Sequence, residues 1–150
     1  VIQPGQARPI QLPTAGIAPR ATDRIAMETN LDARAAATRP AAGDRIDFDD
    51  PTTYNNATSV TVYDQLGQDV ALTYYFQKAA TDQWNVYVTA NGTPISVDGS
   101  GVPLASTTIE FPSNGGAPLA PVGPVAIDIP ATTRPGGGDT LAILSLIHIS

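Results

Sequence analysis

Cysteine is absent from the 150 residues, which excludes a disulfide scaffold and a zinc site built on thiolates. Histidine occurs once, as His148. A Ser-His-Asp relay would rest on that one imidazole, and a zinc site without cysteine needs several His or carboxylate ligands. His148 therefore reads as an incidental residue. Long apolar runs are missing too: the longest, residues 141–149 (LAILSLIHI), is about half of the roughly 20 residues that span a bilayer, so no membrane insertion is expected. Residues 1–20 lack the continuous apolar core of a cleavable signal and carry prolines at positions 4, 9, 13 and 19.

Positive charge is scarce. Eight basic residues face fourteen acidic ones, for a net charge of -6, so a phosphate backbone would be repelled and nucleic acid is not an expected partner. The imbalance is uneven. Residues 1–45 hold six Arg and four acids, whereas residues 46–150 hold two basic and ten acidic groups. The front and the body are different material, and the chain reads as a piece of a longer protein.

Turn formers are plentiful. Pro and Gly together make 27 of 150 residues, or 18%, against a usual level of roughly 12%. Residues 1–22, with their fixed φ angles, are expected to form an extended connector from a preceding domain. Beyond Arg24, Ile25, Met27, Thr29 and Leu31 alternate with Ala26, Glu28 and Asn30 as a half-buried strand does. Residues 32–39 are Ala-rich but too short for a stable helix before Pro40, and read as a loop.

All nine aromatic residues lie between positions 48 and 111, which puts the core there. Residues 58–64 (TSVTVYD) and 69–77 (DVALTYYFQ) are β-branched and aromatic, the second placing Val70, Leu72, Tyr74 and Phe76 on one face. Gln65, Leu66 and Gly67 link them as an antiparallel hairpin, with Gly67 in the left-handed position. Residues 83–90 (QWNVYVTA) set Trp84, Val86 and Val88 against Asn85, Tyr87 and Thr89, and Asn91-Gly92 then turns the chain. Weaker strands are expected at 107–111 and 125–129, with one more at 141–144. The six prolines between 112 and 135 belong on edges or in loops. The predicted fold is all-β: an antiparallel β-sandwich or open β-barrel with long Pro/Gly-rich loops.

Few residue groups could carry chemistry. Asp44, Asp47, Asp49 and Asp50 cluster in DRIDFDDP, but the spacing lacks the Gly and distal Glu of a calcium loop. A solvated loop is expected, with Asp50 before Pro51 as a capping residue and Asn55 and Asn56 extending the turn. A carboxylate pair for glycoside hydrolysis requires a cleft at set separations, which no sequence pattern here supplies. Gly136-Gly137-Gly138-Asp139 lacks the Gly-Lys-Ser/Thr ending of a phosphate loop and reads as a flexible turn. Asn56-Ala57-Thr58 and Asn91-Gly92-Thr93 match the glycan acceptor pattern and are taken as turn chemistry. Tyr63, Tyr75, Tyr87 and Trp84 would make a sugar platform on an exposed face, but their alternating strands favour core packing. No catalytic, cofactor-binding or metal-ligating residue is expected.

The central block is specific enough to compare. The run 48–64 (FDDPTTYNNATSVTVYD), then Leu66-Gly67, 72–76 (LTYYF) and 84–87 (WNVY), resembles the bacterial flagellar hook protein family, as do 21–25 (ATDRI) and 30–33 (NLDA) upstream. The resemblance covers about residues 20–130. It implies the outer β domain, over residues 23–135, of a subunit that polymerises into the hook, the flexible curved tube coupling motor to filament. The implied partners are other copies of the subunit, with hook cap and junction proteins beside them, in an extracellular location, and no enzymatic activity. Residues 136–150 are read as a last strand and an irregular tail, since 145–150 (SLIHIS) do not continue the family's pattern, as foreign sequence would not. A rival reading is a carbohydrate-binding or adhesive extracellular β module, motivated by the Tyr and Trp side chains in adjacent strands.

Overall fold

The structure is a computed structural model that describes residues 20–32, 34–38, 46–114, 117–121, 123–131 and 141–149. Most of the expected connector, Asp44 and the Gly136–Asp139 turn lie outside the described residues. The strands are β1 (Arg24–Thr29), β2 (Asn56–Tyr63), β3 (Asp69–Ala80), β4 (Gln83–Ala90), β5 (Thr93–Pro94), β6 (Thr107–Glu110), β7 (Val125–Ile129) and β8 (Leu141–Ile149), with one short 3-10 turn at Pro51–Thr53. They form two sheets, a three-stranded one in the order β1-β8-β7 and a five-stranded one in the order β2-β3-β4-β5, with β6 also paired to β4. The arrangement is the sandwich alternative of the predicted all-β class rather than a closed barrel.

The central meander forms as the alternation requires. β2 pairs antiparallel with β3, Val62 opposite Val70 and Val60 opposite Leu72, and β3 pairs antiparallel with β4, Phe76 opposite Val86. Gly67 takes φ +76° in the β2–β3 turn, a conformation open to glycine at no steric cost. Buried Asp64 closes that turn, its Oδ1 accepting from the amides of Leu66 and Gln68 at 2.9 Å each. Val62, Val70, Leu72, Tyr74, Phe76, Trp84, Val86, Val88, Ala90 and Ile109 point inward from the large sheet to meet Ile25, Ile127, Ile129, Leu141 and Ile143 from the small one. Tyr74 is fully buried, and its hydroxyl shares a 2.9 Å hydrogen bond with the Ser145 hydroxyl across the sheets.

Three features were not expected from the sequence. β1 and β8 pair in parallel, Arg24 opposite Leu144 through to Thr29 opposite Ile149. A parallel pair needs a long crossover, and the entire large sheet lies between them in sequence. β8 also continues as a strand beyond Leu144 to Ile149, because β1 supplies a backbone ladder to residues 144–149. Finally, Tyr63, Tyr75 and Tyr87 do not join the core: Tyr63 is 50% exposed and the other two are half-buried. The two-residue period sends them to the face opposite Val62, Tyr74 and Val86; only Trp84 of that quartet points inward. One seam between the sheets is closed by Thr22, whose amide donates to the Tyr63 carbonyl at 2.8 Å while its Oγ1 accepts from the Tyr63 amide at 2.9 Å.

Trp84→Ala is expected to cost about 3–5 kcal/mol in denaturant unfolding, as for other buried aromatic truncations; a loss within the surface range of about 0.5 kcal/mol would contradict the packing described. Burial pushes the Tyr74 phenol above its ordinary value near 10, against a smaller lowering by the Ser145 hydrogen bond. The unfolded chain therefore releases its proton first, so stability present below about pH 10 falls as the pH rises towards the folded-state value. Tyr74→Phe should cost about 1 kcal/mol at neutral pH and flatten this alkaline decline, as measured by unfolding across an alkaline pH series.

Candidate assembly surfaces

The segment after β1 crosses one end of the sandwich and is held there by a polar clasp. Asn55 lies between the 3-10 turn and β2. Its amide donates to the Phe76 carbonyl at 2.8 Å, its Nδ2 donates to the Ala36 carbonyl at 2.8 Å, and its Oδ1 accepts from the Lys78 amide at 2.8 Å and from the Thr38 hydroxyl. Lys78, the chain's single lysine, is 8% exposed. Its Nζ donates to the Ala35 carbonyl at 2.8 Å and sits 5.9 Å from the centre of the Trp84 ring. A lysine stem packs as an apolar chain while its ammonium is satisfied by a carbonyl and an aromatic face. The clasp thus fixes residues 34–38 over the Trp84 end of the core.

The acidic loop is a turn device. Asp50 caps the 3-10 turn, its Oδ1 accepting from the Thr52 amide at 2.9 Å and the Thr52 hydroxyl at 2.7 Å, and Pro51 follows at the first position. The Thr52 side-chain and backbone hydrogen bonds hold the Asp50 carboxyl below its usual range. Asp47 Oδ1 accepts from the Asp49 amide at 2.9 Å. Among the described residues, no group of three or more His, Asp or Glu is placed to hold a metal ion. The expected cap at Asp50 is therefore present, whereas Asn55 turns inward to the clasp instead of extending the turn.

Above this loop, on the outer face of the large sheet, Tyr75 and Tyr87 lie opposite each other in the ladder. Phe48 covers both, at centroid distances of 4.5 and 6.4 Å, and Tyr54 meets Tyr75 edge-on at 4.9 Å. Burial raises the Tyr75 phenol above its usual value, with Tyr54 and Asp49 acting in the same direction. The rings cover one another rather than offering a flat stacking platform. Further along that face, Ser59 and Thr73 share a 3.0 Å hydrogen bond. Both glycan-pattern asparagines are exposed, Asn56 at the start of β2 and Asn91 in the turn after β4. His148 lies in β8 opposite Glu28. A crevice of about 250 Å³ lined by Ile95, Ser96, Ala105, Ser106, Ala126 and Asp128 holds a single titratable side chain.

Among the described residues, the large exposed apolar side chains lie in separate places. Tyr63 and Leu66 flank the β2–β3 turn, Val97 and Leu104 lie between β5 and β6, Leu119 follows β6, and Leu144 is in β8. Apolar side chains dispersed among exposed Asp, Asn and Thr suit small, wet contacts rather than one large apolar interface.

The family described as "Flagellar basal body protein FlaE D2 domain" matches residues 30–145, from the end of β1 into β8. The chain belongs to this family. It is 31% identical over 108 residues to the flagellar hook protein FlgE of Salmonella typhimurium, an overlap covering 71% of this chain and 25% of that protein. It is 30% identical over 108 residues to the flagellar hook protein FlgE of Escherichia coli, covering 71% of this chain and 24% of that one. The chain thus spans about a quarter of the length of the relatives it matches. Within the matched stretch, Asn55, Asp64, Lys78 and Ser145 carry the polar fixings of the sandwich. Sequence reasoning passed over these roles because each depends on a partner distant in sequence or on the turn geometry itself.

Asn55→Ala is expected to destabilise by about 1–3 kcal/mol, since the Lys78 amide and the Ala36 carbonyl both lose a partner. Loosening of residues 34–38 should appear as faster amide exchange there and a red shift of Trp84 emission. Unchanged exchange at Thr38 would show that the clasp does not hold the segment.

Proposed function

We propose that this chain is the outer β module of a flagellar hook subunit and acts as a passive structural block. The observation that supports the reading above all others is the family match over residues 30–145, which takes in the whole large sheet, β7 and the first half of β8. On this reading residues 23–135 form the body of the outer domain, residues 1–22 connect it to the preceding domain, and the strand at the end of the chain closes the small sheet. Its partners are other copies of the hook subunit, with cap and junction proteins at the ends of the tube, and its location is extracellular.

The physical properties suit that task. A rotating bent tube requires contacts between neighbours that slide and re-form, which small polar interfaces permit. Each block must meanwhile keep its shape, and a close-packed two-sheet core transmits strain rather than absorbing it. Among the described residues, the carboxylates of the Asp47–Asp50 turn accept backbone hydrogen bonds of the turn, and the crevice at Asp128 holds a single titratable side chain.

Antibodies raised against the chain are expected to label the hook, between cell surface and filament, in immunogold electron microscopy of flagella from the bacterium that encodes it. Deleting the parent gene should leave cells without hooks or filaments. Labelling confined to another structure, or hooks of normal length in the deletion strain, would overturn the proposal.

A further inference from the structure

We propose that Asn91 is a site of spontaneous covalent modification, at which its side-chain amide is converted to aspartate and isoaspartate through a cyclic imide formed with the Gly92 backbone nitrogen. The Gly92 nitrogen attacks Asn91 Cγ and a C–N bond forms. The Cγ–Nδ2 bond breaks, and ammonia leaves carrying the proton lost from the Gly92 amide. Water then opens the ring at either carbonyl, so the net change is amide plus water to acid plus ammonia, with no oxidant or other reactant.

Local structure favours each part of this step. Asn91 and Gly92 are both exposed, at φ +50° and +83° in the turn between β4 and β5. Nothing lies within 4 Å of where a side chain on residue 92 would begin, so the five-membered ring has room on that side. The Ala71 amide donates to Asn91 Oδ1 at 3.1 Å. That donor draws electrons from Cγ and faces the oxygen on which negative charge builds during attack, as an oxyanion hole does. The Asn91 amide donates to the Ala71 carbonyl at 2.8 Å and holds the turn on the β3 side, whereas its far side is short: β5 has two residues, one of them Pro94 without an amide proton. Exposed Asn56 serves as an internal comparison, because the Ala57 methyl that follows it obstructs the same ring closure.

Isoaspartate lengthens the main chain by one methylene within a two-residue turn. Register in such hairpins is set by loop length, so the pairing of Ala90 with Thr93 would give way. Each event also adds one negative charge to a chain already at -6. The modification would therefore record the age of the molecule, and it does not depend on the hook reading.

The test is incubation of the purified chain at mildly alkaline pH, with fragmentation mass spectrometry to locate ammonia loss and isoaspartyl methyltransferase labelling to detect isoaspartate. Isoaspartate should accumulate at position 91 and not at position 56, and Gly92→Ala should slow the reaction about tenfold or more. Since Gly92→Ala strains the turn, isoaspartate in the unsubstituted chain is the independent readout of the cyclic route. The proposal fails if Asn91 stays intact over a period in which the same chain in denaturant converts at that position. It also fails if aspartate forms at 91 without isoaspartate, because direct hydrolysis would then be the route.

Discussion

The register of β3 is the constraint from which the rest of the molecule follows. It is flanked by β2 and β4, and its inward residues Val70, Leu72, Tyr74 and Phe76 are all fully buried. A slip of one position would exchange them for Ala71, Thr73, Tyr75 and Gln77, placing hydroxyls and an amide in the core and stranding the large apolar groups in water. Asp64 fixes this register at one end by closing the β2–β3 turn, and Asn55 and Lys78 fix it at the other. With β3 in place, the Tyr74 hydroxyl can meet Ser145, which ties the position of the small sheet to that of the large one.

Much of this was legible in the sequence, and the reason is locality. The β2–β3–β4 meander is announced by alternation, by Gly67 and by Asn91-Gly92, all of which act within a few residues of themselves. The Asp50 cap is equally local. The parallel pairing of β1 with β8 left no such mark, because it joins segments separated by nearly the entire chain, and the sequence of β8 alone gives no hint of its partner. Tyr75 and Tyr87 show a different limit. Their alternating strands favour core packing on sequence grounds, yet their ladder positions set them on the opposite face, where Phe48, from a loop with no periodicity, half-covers them. Lys78 is the clearest case of context overriding composition: a lone lysine in an acidic body reads as a surface charge, yet a carbonyl and an indole face make its burial tolerable.

Among the described residues, the polar side chains with assigned partners are used within the fold. Asp64, Asn55, Ser145 and Thr22 each hold the fold together rather than facing a cleft. Such a distribution stiffens a block internally.

The parallel alignment of β1 and β8 sets how the block bears load. The leading end of β1, at Arg24, and the trailing end of β8, at Ile149, lie at opposite extremes of one ladder. Tension applied between those two points pulls the strands lengthwise past each other, so every backbone bond in the ladder shares the force and all must yield together. Had the strands run antiparallel, the same pull would open them like a zip, one bond at a time.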